Sequence, residues 1–138
     1  MNTIPTAGVV LFKGDEVLLV EHKEGASNLT GVYGIPAGRI DMNESARQTA
    51  VRELKEETGL IVQENDLIEL PTMYTASLER KDGSKKEFSL KVFFAKSSGG
   101  SFIENNETVP TWVKRDTINT YKLLPNVESA VKEAEGLK

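Results

Sequence analysis

The segment from residue 43 to residue 59 constrains the fold most, because it predicts one amphipathic helix with acidic residues gathered on one stripe. Asn43 is placed to cap this helix, its interior runs from Glu44 to Thr58, and Gly59 is placed as its C-terminal stop. A helix of this kind needs an apolar layer to pack against. Its own apolar positions recur at helical spacing, at Ala46, Ala50, Val51 and Leu54.

Strand-like patterns lie on both sides of this helix and supply that layer. They are predicted at 6–12, 16–22, 67–78, 87–96 and 109–114, with turn residues between the first two and an Asp-Gly turn at 82–83 between the next two. The glycine-rich stretch 31–38 predicts only short regular structure, and 126–135 predicts a closing helix. The pattern therefore predicts one domain over residues 1–138, of class α/β, with helices packed on a mixed sheet as a sandwich.

Composition narrows the possible functions. The chain has no cysteine, so disulfides and thiolate metal sites are excluded and any metal must be held by oxygen or imidazole. The net charge of −4 argues against binding extended nucleic acid, although bound divalent cations can reverse the field of an acidic cluster. The sequence shows neither a leader pattern nor an apolar run near the roughly 18 residues of a membrane span, so we expect no membrane partner and a cytoplasmic location.

Three carboxylates crowd one stripe of the predicted helix. Glu53, Glu56 and Glu57 stand at i, i+3 and i+4, within roughly a third of the helix circumference. Like charges at these spacings repel by a few tenths of a kcal/mol per pair, and divalent cations would offset that repulsion. Taken alone, the hexapeptide 52–57 is better explained as a solvated helix face built from good helix formers.

The spacing around the carboxylates decides against that explanation. The carboxylates belong to a longer pattern with nine constrained positions, and this chain fills all nine. The pattern runs Gly38, five residues, Glu44, seven residues, Arg52-Glu53-Leu54, one residue, Glu56-Glu57, one residue, Gly59-Leu60. With average residue usage, a chance match has odds on the order of 1 in 10⁷. The segment from Gly38 to Leu60 resembles the Nudix box, and the early hairpin, Pro36-Ala37-Gly38 and Trp112-Val113 extend the resemblance over most of the chain.

The resemblance implies a fold, a cofactor and a set of residue roles. The implied fold is the Nudix α/β/α sandwich with its loop-helix-loop catalytic segment. The implied cofactor is Mg²⁺, with Mn²⁺ as a substitute, held by Glu53, Glu56 and Glu57 with help from the backbone oxygens at Ala37-Gly38. Arg52 corresponds to the arginine that orients these carboxylates, Glu44 to the outlying glutamate of the motif, and Gly38 and Gly59 to the glycines that shape its loops.

The implied reaction is hydrolysis of a diphosphate linkage in a nucleotide-like substrate by metal-activated water. A carboxylate must accept the proton of that water, and Glu53, Glu56 and a glutamate from another loop all remain open. The loop before Trp112 holds Glu104 and Glu107, and the resemblance implies that one of them serves as an additional acidic ligand or base. Glu107 is the better choice of the two; the alternative is that both are solvated loop charges. Arg52 completes the predicted catalytic group.

Substrate contacts are predicted at three further residues. Arg39 follows the first motif glycine and is placed to face phosphate, while Tyr33 and Tyr74 are placed to stack on a base, against the alternative that they only pack on the sheet. His22 is assigned no catalytic role, and the basic residues 80, 81, 85 and 86 are expected to be solvated.

The particular substrate stays open among ADP-ribose, a nucleotide sugar and a nucleoside triphosphate. A non-catalytic Nudix-like domain that binds a nucleotide as a sensor is the alternative function, and an acidic helix without any ligand is a third. The retained glutamates favour catalysis. The resemblance also favours a homodimer, although no residue of the sequence identifies an interface.

Overall fold

The computed structural model describes residues 3–22, 31–79, 82–103 and 108–137. Two helices lie at α1 (Ala46–Thr58) and α2 (Val127–Leu137), and short 3₁₀ turns lie at Glu64–Asp66 and Arg115–Thr120. The strands are β1 (Ile4–Lys13), β2 (Glu16–His22), β3 (Tyr33–Gly34), β4 (Ala37–Arg39), β5 (Ile68–Glu79), β6 (Lys85–Lys96) and β7 (Thr108–Lys114).

The strands form one mixed sheet whose main path runs β3-β2-β1-β6-β5. Strand β1 pairs in parallel with β6, whereas β1 with β2, and β5 with β6, pair antiparallel. Strand β7 pairs with β2 along its length, and the short strand β4 pairs with β1 so that Gly38 lies opposite Ala7. The mixed sheet of the predicted α/β class is confirmed.

Each helix covers one face of the sheet. Alternate residues of β1 point to opposite faces, so Val9 packs under α1 while Val10 packs under α2. The α1 side buries Ala7, Val9, Leu11, Leu18, Ala50, Leu54, Leu60, Val62, Leu67, Phe93 and Ala95. The α2 side buries Val10, Phe12, Val17, Leu19, Ile35, Leu70, Val92, Phe94, Val113, Ile118, Val127, Ala130, Val131 and Ala134.

Helix α1 begins later than the sequence predicts, and Asn43 is not its cap. The N-cap is Ser45, whose hydroxyl accepts the amide of Gln48 at 3.1 Å, while the Gln48 side chain accepts the amide of Ser45 at 2.9 Å. This reciprocal capping box satisfies two amide groups at once, which Asn43 could not do. Gly59 is confirmed as the C-terminal stop, with a left-handed φ of 86°.

The other predicted elements agree with the structure to within one or two residues at most ends. The predicted hairpin of β1 and β2 is confirmed, with Phe12 opposite Val17, and β3 and β4 are as short as the glycine-rich stretch predicts. Helix α2 extends to Leu137, beyond the predicted end. In the part of the chain that the structure describes, no helix is both long and apolar enough to cross a lipid bilayer.

Candidate metal and active site

Two of the motif glutamates lie against the backbone of β4. The Glu53 carboxylate fills the space beside Gly38, where an added Cβ would lie 2.2 Å from the carboxyl carbon and 2.5 Å from each oxygen. The amide of Ala37 donates a hydrogen bond to Glu57 Oε2 at 3.1 Å. The β4 backbone therefore brings two carboxylates together at one edge of α1.

The two carboxylates repel each other when both are charged. Burial raises the pKa of Glu57 well above its ordinary value, and the hydrogen bond and negative charge of Glu53 raise it further. The amide of Ala37 lowers the pKa of Glu57 but does not reverse the direction. A pair of this kind is stabilised by a proton or by a cation placed between the carboxylates.

Arg52 links the remaining motif carboxylates. Its Nε and Nη2 donate to the two oxygens of Glu44 at 2.7 and 2.9 Å, which is a bidentate pair. Its Nη1 donates to Glu53 Oε2 at 2.7 Å and to Glu56 Oε1 at 2.8 Å. Nη2 also donates to the carbonyl of Arg39 at 3.1 Å, so one guanidinium joins α1, the loop before it and β4.

The charges of Arg52 and Glu44 stabilise one another. Hydrogen bonds from Arg52 and then from Thr49 lower the pKa of Glu44 from 4.5 to about 2. The hydrogen bond to Glu44 likewise raises the pKa of Arg52 above its ordinary value. Glu44 precedes the N-cap, and from there its side chain contacts Arg52 within the helix. The outlying glutamate of the motif is therefore the partner of Arg52.

The donor set fits a hard divalent cation, although the site is not fully closed around one. Among the described residues, no three acidic or imidazole side chains converge as placed on one ion position. Glu53 and Glu57 converge, whereas the Glu56 side chain is 50% exposed and bound to Arg52. Carboxylate oxygens with water and substrate phosphate are the usual ligands of Mg²⁺, so two convergent glutamates and a movable third suit it.

The residues predicted to contact substrate are spread over the α2 side of the sheet. Arg39 is exposed on β4 and lies opposite Thr6, which is in turn level with Leu90 and then Tyr74 across the strands. Tyr33 and Tyr74 both pack against the core under α2, but they stand on β3 and β5, the two ends of the main sheet path. The two rings therefore do not form one stacking site.

Both tyrosine hydroxyls are engaged by carboxylates. The Tyr74 hydroxyl donates to Glu133 Oε1 at 3.2 Å, and Thr72 donates to the other oxygen of Glu133. Tyr33 hydrogen bonds to Glu21 and packs edge-on against Tyr121 with ring centroids 4.9 Å apart. Burial and the neighbouring carboxylates raise the pKa of both tyrosines, so each is a neutral ring with its hydroxyl occupied.

Glu107 is the one predicted site residue that the structure does not describe. Glu104 and Glu107 lie outside the described residues, as do Arg80 and Lys81 of the basic hairpin tip, and the side chain of His22 is likewise not described.

The residues on either side of 104–107 are both bound to the last turn of α1. The amide of Ile103 donates to the carbonyl of Thr58 at 3.0 Å, and the Thr108 hydroxyl donates to the carbonyl of Glu57 at 3.0 Å.

The sequence did not predict the groups that support the cluster from behind. Thr49 is fully buried and donates to Glu44 Oε1 at 2.7 Å, and Asp41 lies 3.5 Å from Arg52. The Ser-x-x-Gln pattern at 45–48 was a readable signal for the true helix start. Nothing in the sequence distinguished the buried hydroxyl of Thr49 from an ordinary polar helix residue.

The chain belongs to the NUDIX domain family, because the family model for this domain matches residues 2–133. This match confirms the resemblance that the motif from Gly38 to Leu60 indicates.

Two curated relatives differ in how much of them the chain covers. The chain is 28% identical over 131 residues to a putative 8-oxo-dGTP diphosphatase of Bacillus subtilis (strain 168), covering 91% of this chain and 74% of that protein. It is 34% identical over 81 residues to Nudix hydrolase 8 of Arabidopsis thaliana, covering 59% of this chain and 22% of that protein. The chain thus spans only about a fifth of the plant protein.

Solved structures agree on the fold. The NUDIX domain of Shewanella oneidensis NrtR, complexed with ADP ribose, superposes with a TM-score of 0.78 at 22% identity over 100% of this chain and 90% of that chain. An identity this low speaks for the fold alone. The Nudix sandwich that the resemblance implies is confirmed.

Proposed function

We propose that this protein is a divalent-metal-dependent hydrolase that cleaves a diphosphate linkage in a nucleotide derivative. The observation that carries the proposal is the pairing of Glu53 with Glu57 beside the backbone of Ala37 and Gly38. The Glu53 carboxylate fills the space beside Gly38, the amide of Ala37 binds Glu57, and the negative charge of Glu53 raises the pKa of the buried Glu57. A complete family motif around this pair supports catalysis over simple binding.

Mg²⁺, with Mn²⁺ as a substitute, is the ion that these residues would hold. Glu53 and Glu57 would bind it directly, the backbone at Gly38 would add an oxygen, and Glu56 would join after leaving Arg52. When bound, such an ion neutralises the non-bridging diphosphate oxygens and favours ionisation of water. Arg52 orients Glu53 and balances the charge of the cluster through its fixed geometry on Glu44.

The proton acceptor for the attacking water is one of three glutamates. Glu53 is 17% exposed and held by Arg52, whereas Glu56 is 50% exposed and closer to solvent. Glu107 is included on its sequence position alone. Single Glu→Gln variants separate them, since the variant that loses turnover by about 100-fold or more while still binding Mn²⁺ has lost the acceptor.

The α2 side of the sheet is the surface that the nucleotide would occupy. Arg39 lies at its β4 edge next to the carboxylate cluster and suits a phosphate, and Tyr74 or Tyr33 offers a ring to a base. A relative named for 8-oxo-dGTP and a structure with ADP ribose bound support a nucleoside diphosphate joined to phosphate or to a sugar.

A substrate panel tests the proposal. Purified protein with Mg²⁺ is incubated with ADP-ribose, nucleoside triphosphates including 8-oxo-dGTP, nucleotide sugars and dinucleoside polyphosphates, and the products are separated by anion exchange. We expect release of a nucleoside monophosphate from at least one of them, loss of that product with EDTA, and loss with Glu57→Gln.

If the wild-type protein binds a member of the panel and releases nothing, the protein is a nucleotide sensor rather than an enzyme. Binding is measured by calorimetry on the same samples, so the two outcomes are distinct.

The proposed assembly is a homodimer, for which light scattering gives twice the mass of the chain.

A further inference from the structure

Helix α1 contains two threonines whose side chains are fully buried, and their hydroxyls are used differently. Thr58 donates to the carbonyl of Leu54 at 2.6 Å, four residues earlier, which is the usual choice for a threonine inside a helix. The equivalent carbonyl for Thr49 is that of Ser45, which accepts the amide of Thr49 at 3.0 Å. The Thr49 hydroxyl instead leaves the helix and donates to Glu44.

This hydroxyl helps to fix the rotation of the Glu44 carboxylate. Oε1 of Glu44 accepts from Thr49 Oγ1 at 2.7 Å and from Arg52 Nη2 at 2.9 Å, while Oε2 accepts from Arg52 Nε at 2.7 Å. The amide of Asp41 adds a longer bond to Oε1 at 3.3 Å. Thr49 is the donor in this set that stands on the buried face of α1, so it ties the carboxylate to the core.

The position of Glu44 in turn sets the plane of the Arg52 guanidinium. Two of its three nitrogens are committed to Glu44, so the third, Nη1, has one direction left and reaches Glu53 and Glu56. A guanidinium is rigid and planar, so turning the Glu44 carboxylate would turn Nη1 away from Glu53. One continuous chain of hydrogen bonds therefore runs from the core to the carboxylate cluster, through Thr49, Glu44 and Arg52 to Glu53 and Glu56.

We infer that Thr49 is a positioning residue of the active site, acting through Glu44 and Arg52 on Glu53 and Glu56. Its catalytic consequence rests on the proposed function. Its effect on Arg52 does not, because that effect depends only on hydrogen bonds between groups of the protein itself.

Thr49→Val and Thr49→Ser form a matched pair for the test. Valine keeps the shape and nearly the helix propensity of threonine but lacks the hydroxyl, while serine keeps the hydroxyl. The first measurement is the exchange rate of the Arg52 Nε proton with water by NMR, assigned with Arg52→Lys. We expect exchange several-fold faster in Thr49→Val and a rate close to wild type in Thr49→Ser.

The second measurement is Mn²⁺ affinity by electron paramagnetic resonance, without substrate. Outer partners of metal ligands change affinity by about 10- to 100-fold, and we expect about tenfold weaker binding in Thr49→Val because Thr49 acts through two intermediates. Turnover of the substrate found in the panel should fall by a similar factor with KM nearly unchanged. Thr49→Ser should restore both.

Each outcome bears on the inference. Equal losses in both variants would mean that Thr49 only fills space, and this would overturn the inference. Wild-type exchange and affinity in Thr49→Val would mean that Thr49 positions nothing, and this would overturn it as well.

Should Thr49→Val not fold, Thr49→Ala is compared alone and combined with Glu44→Gln. An effect that disappears in the Glu44→Gln background supports action through Glu44, and a fully additive effect overturns it. A wild-type protein that hydrolyses nothing contradicts the proposed function but leaves the Arg52 exchange test intact.

Discussion

At the scale of single residues, Gly38 places the tightest steric demand on the site. Its missing side chain makes room for the Glu53 carboxylate, and an added methyl group would lie 2.2 Å from the carboxyl carbon. We expect Gly38→Ala to lower kcat/KM by about 100-fold, the cost of displacing a reacting group by roughly 1 Å. Steady-state kinetics on the substrate found in the panel measures this.

Gly136 provides the matched control for that substitution. An added Cβ there meets no atom within 4 Å, and the residue lies in α2 without a left-handed φ. Gly136→Ala should therefore keep wild-type kinetics and stabilise the helix by about 0.5–1 kcal/mol. If Gly38→Ala is as active as Gly136→Ala, the position of the Glu53 carboxylate beside residue 38 is not required for activity.

Tyr74 offers its ring but not its hydroxyl to a ligand, because Glu133 already binds the hydroxyl. We expect Tyr74→Phe to keep KM within about twofold and Tyr74→Ala to raise KM about tenfold, since stacking of a base on an aromatic ring is worth roughly 1–3 kcal/mol. Kinetics at saturating Mg²⁺ and thermal melting of both variants are the measurements. A KM unchanged in the well-folded Tyr74→Ala variant would remove Tyr74 from the substrate surface.

At the scale of elements, the start of α1 shows what the sequence could and could not predict. The motif correctly placed Glu53, Glu56 and Glu57 on one helix, because a 3.6-residue period is a local property of the chain. The cap was predicted two residues early, since both Asn43 and Ser45 are good capping residues and only the Gln48 side chain decides between them. That two-residue difference gives Glu44 its role as the partner of Arg52.

The bond between Glu44 and Arg52 makes the start of α1 sensitive to acid. The pKa of Glu44 falls from 4.5 to about 2 on folding, so its contribution to stability is present above pH 4.5 and is lost as the pH falls towards 2. Glu44→Gln lacks this titration. We expect the melting temperature of wild type to exceed that of Glu44→Gln clearly at pH 6, and the difference to shrink through pH 4 and 3.

Circular dichroism melts of the two proteins across this pH series measure the effect, and both are followed without added metal. A difference in melting temperature that is the same at pH 6 and pH 3 would contradict the assigned pKa shift.

At the scale of the whole molecule, the order of the sheet depends on the pairing of β1 with β6. These strands pair in parallel, Ile4 with Phe88 through Phe12 with Lys96, across more than 80 residues of sequence. Local patterns carry no information on such a partner, so the sequence predicted a mixed sheet without its order. For the same reason the sequence could not show that Tyr33 and Tyr74 lie at opposite ends of the main sheet path.

The carboxylate cluster was predictable because it lies within a short stretch of chain from Gly38 to Glu57. The surface that would hold the nucleotide was not, because it is assembled from β4, β1, β6 and β5 and depends on the sheet order. In the proposed arrangement, the contacts that select the substrate depend on the sheet order, whereas the carboxylate cluster depends on one motif.

Metal binding should raise the stability of the whole protein, because burial of Glu57 beside Glu53 opposes folding and a bound cation would offset that cost without a proton. A ligand at 100 times its Kd stabilises the folded state by about 2.7 kcal/mol, which for a chain of this size corresponds to a rise in melting temperature of about 5–10 °C. We expect Mg²⁺ or Mn²⁺ to produce such a rise in wild type, measured by scanning calorimetry against EDTA.

Glu57→Gln removes one of the two charges, so its metal-free form should melt at least as high as wild type while its shift with Mg²⁺ is lost. Glu64→Gln, which changes an exposed glutamate in the 3₁₀ turn after α1, should keep the full shift. Equal shifts in Glu57→Gln and Glu64→Gln would place the ion elsewhere in the molecule. A wild type unaffected by either ion would mean that the paired carboxylates are held by a shared proton alone, and the proposed reaction would then lose its cofactor.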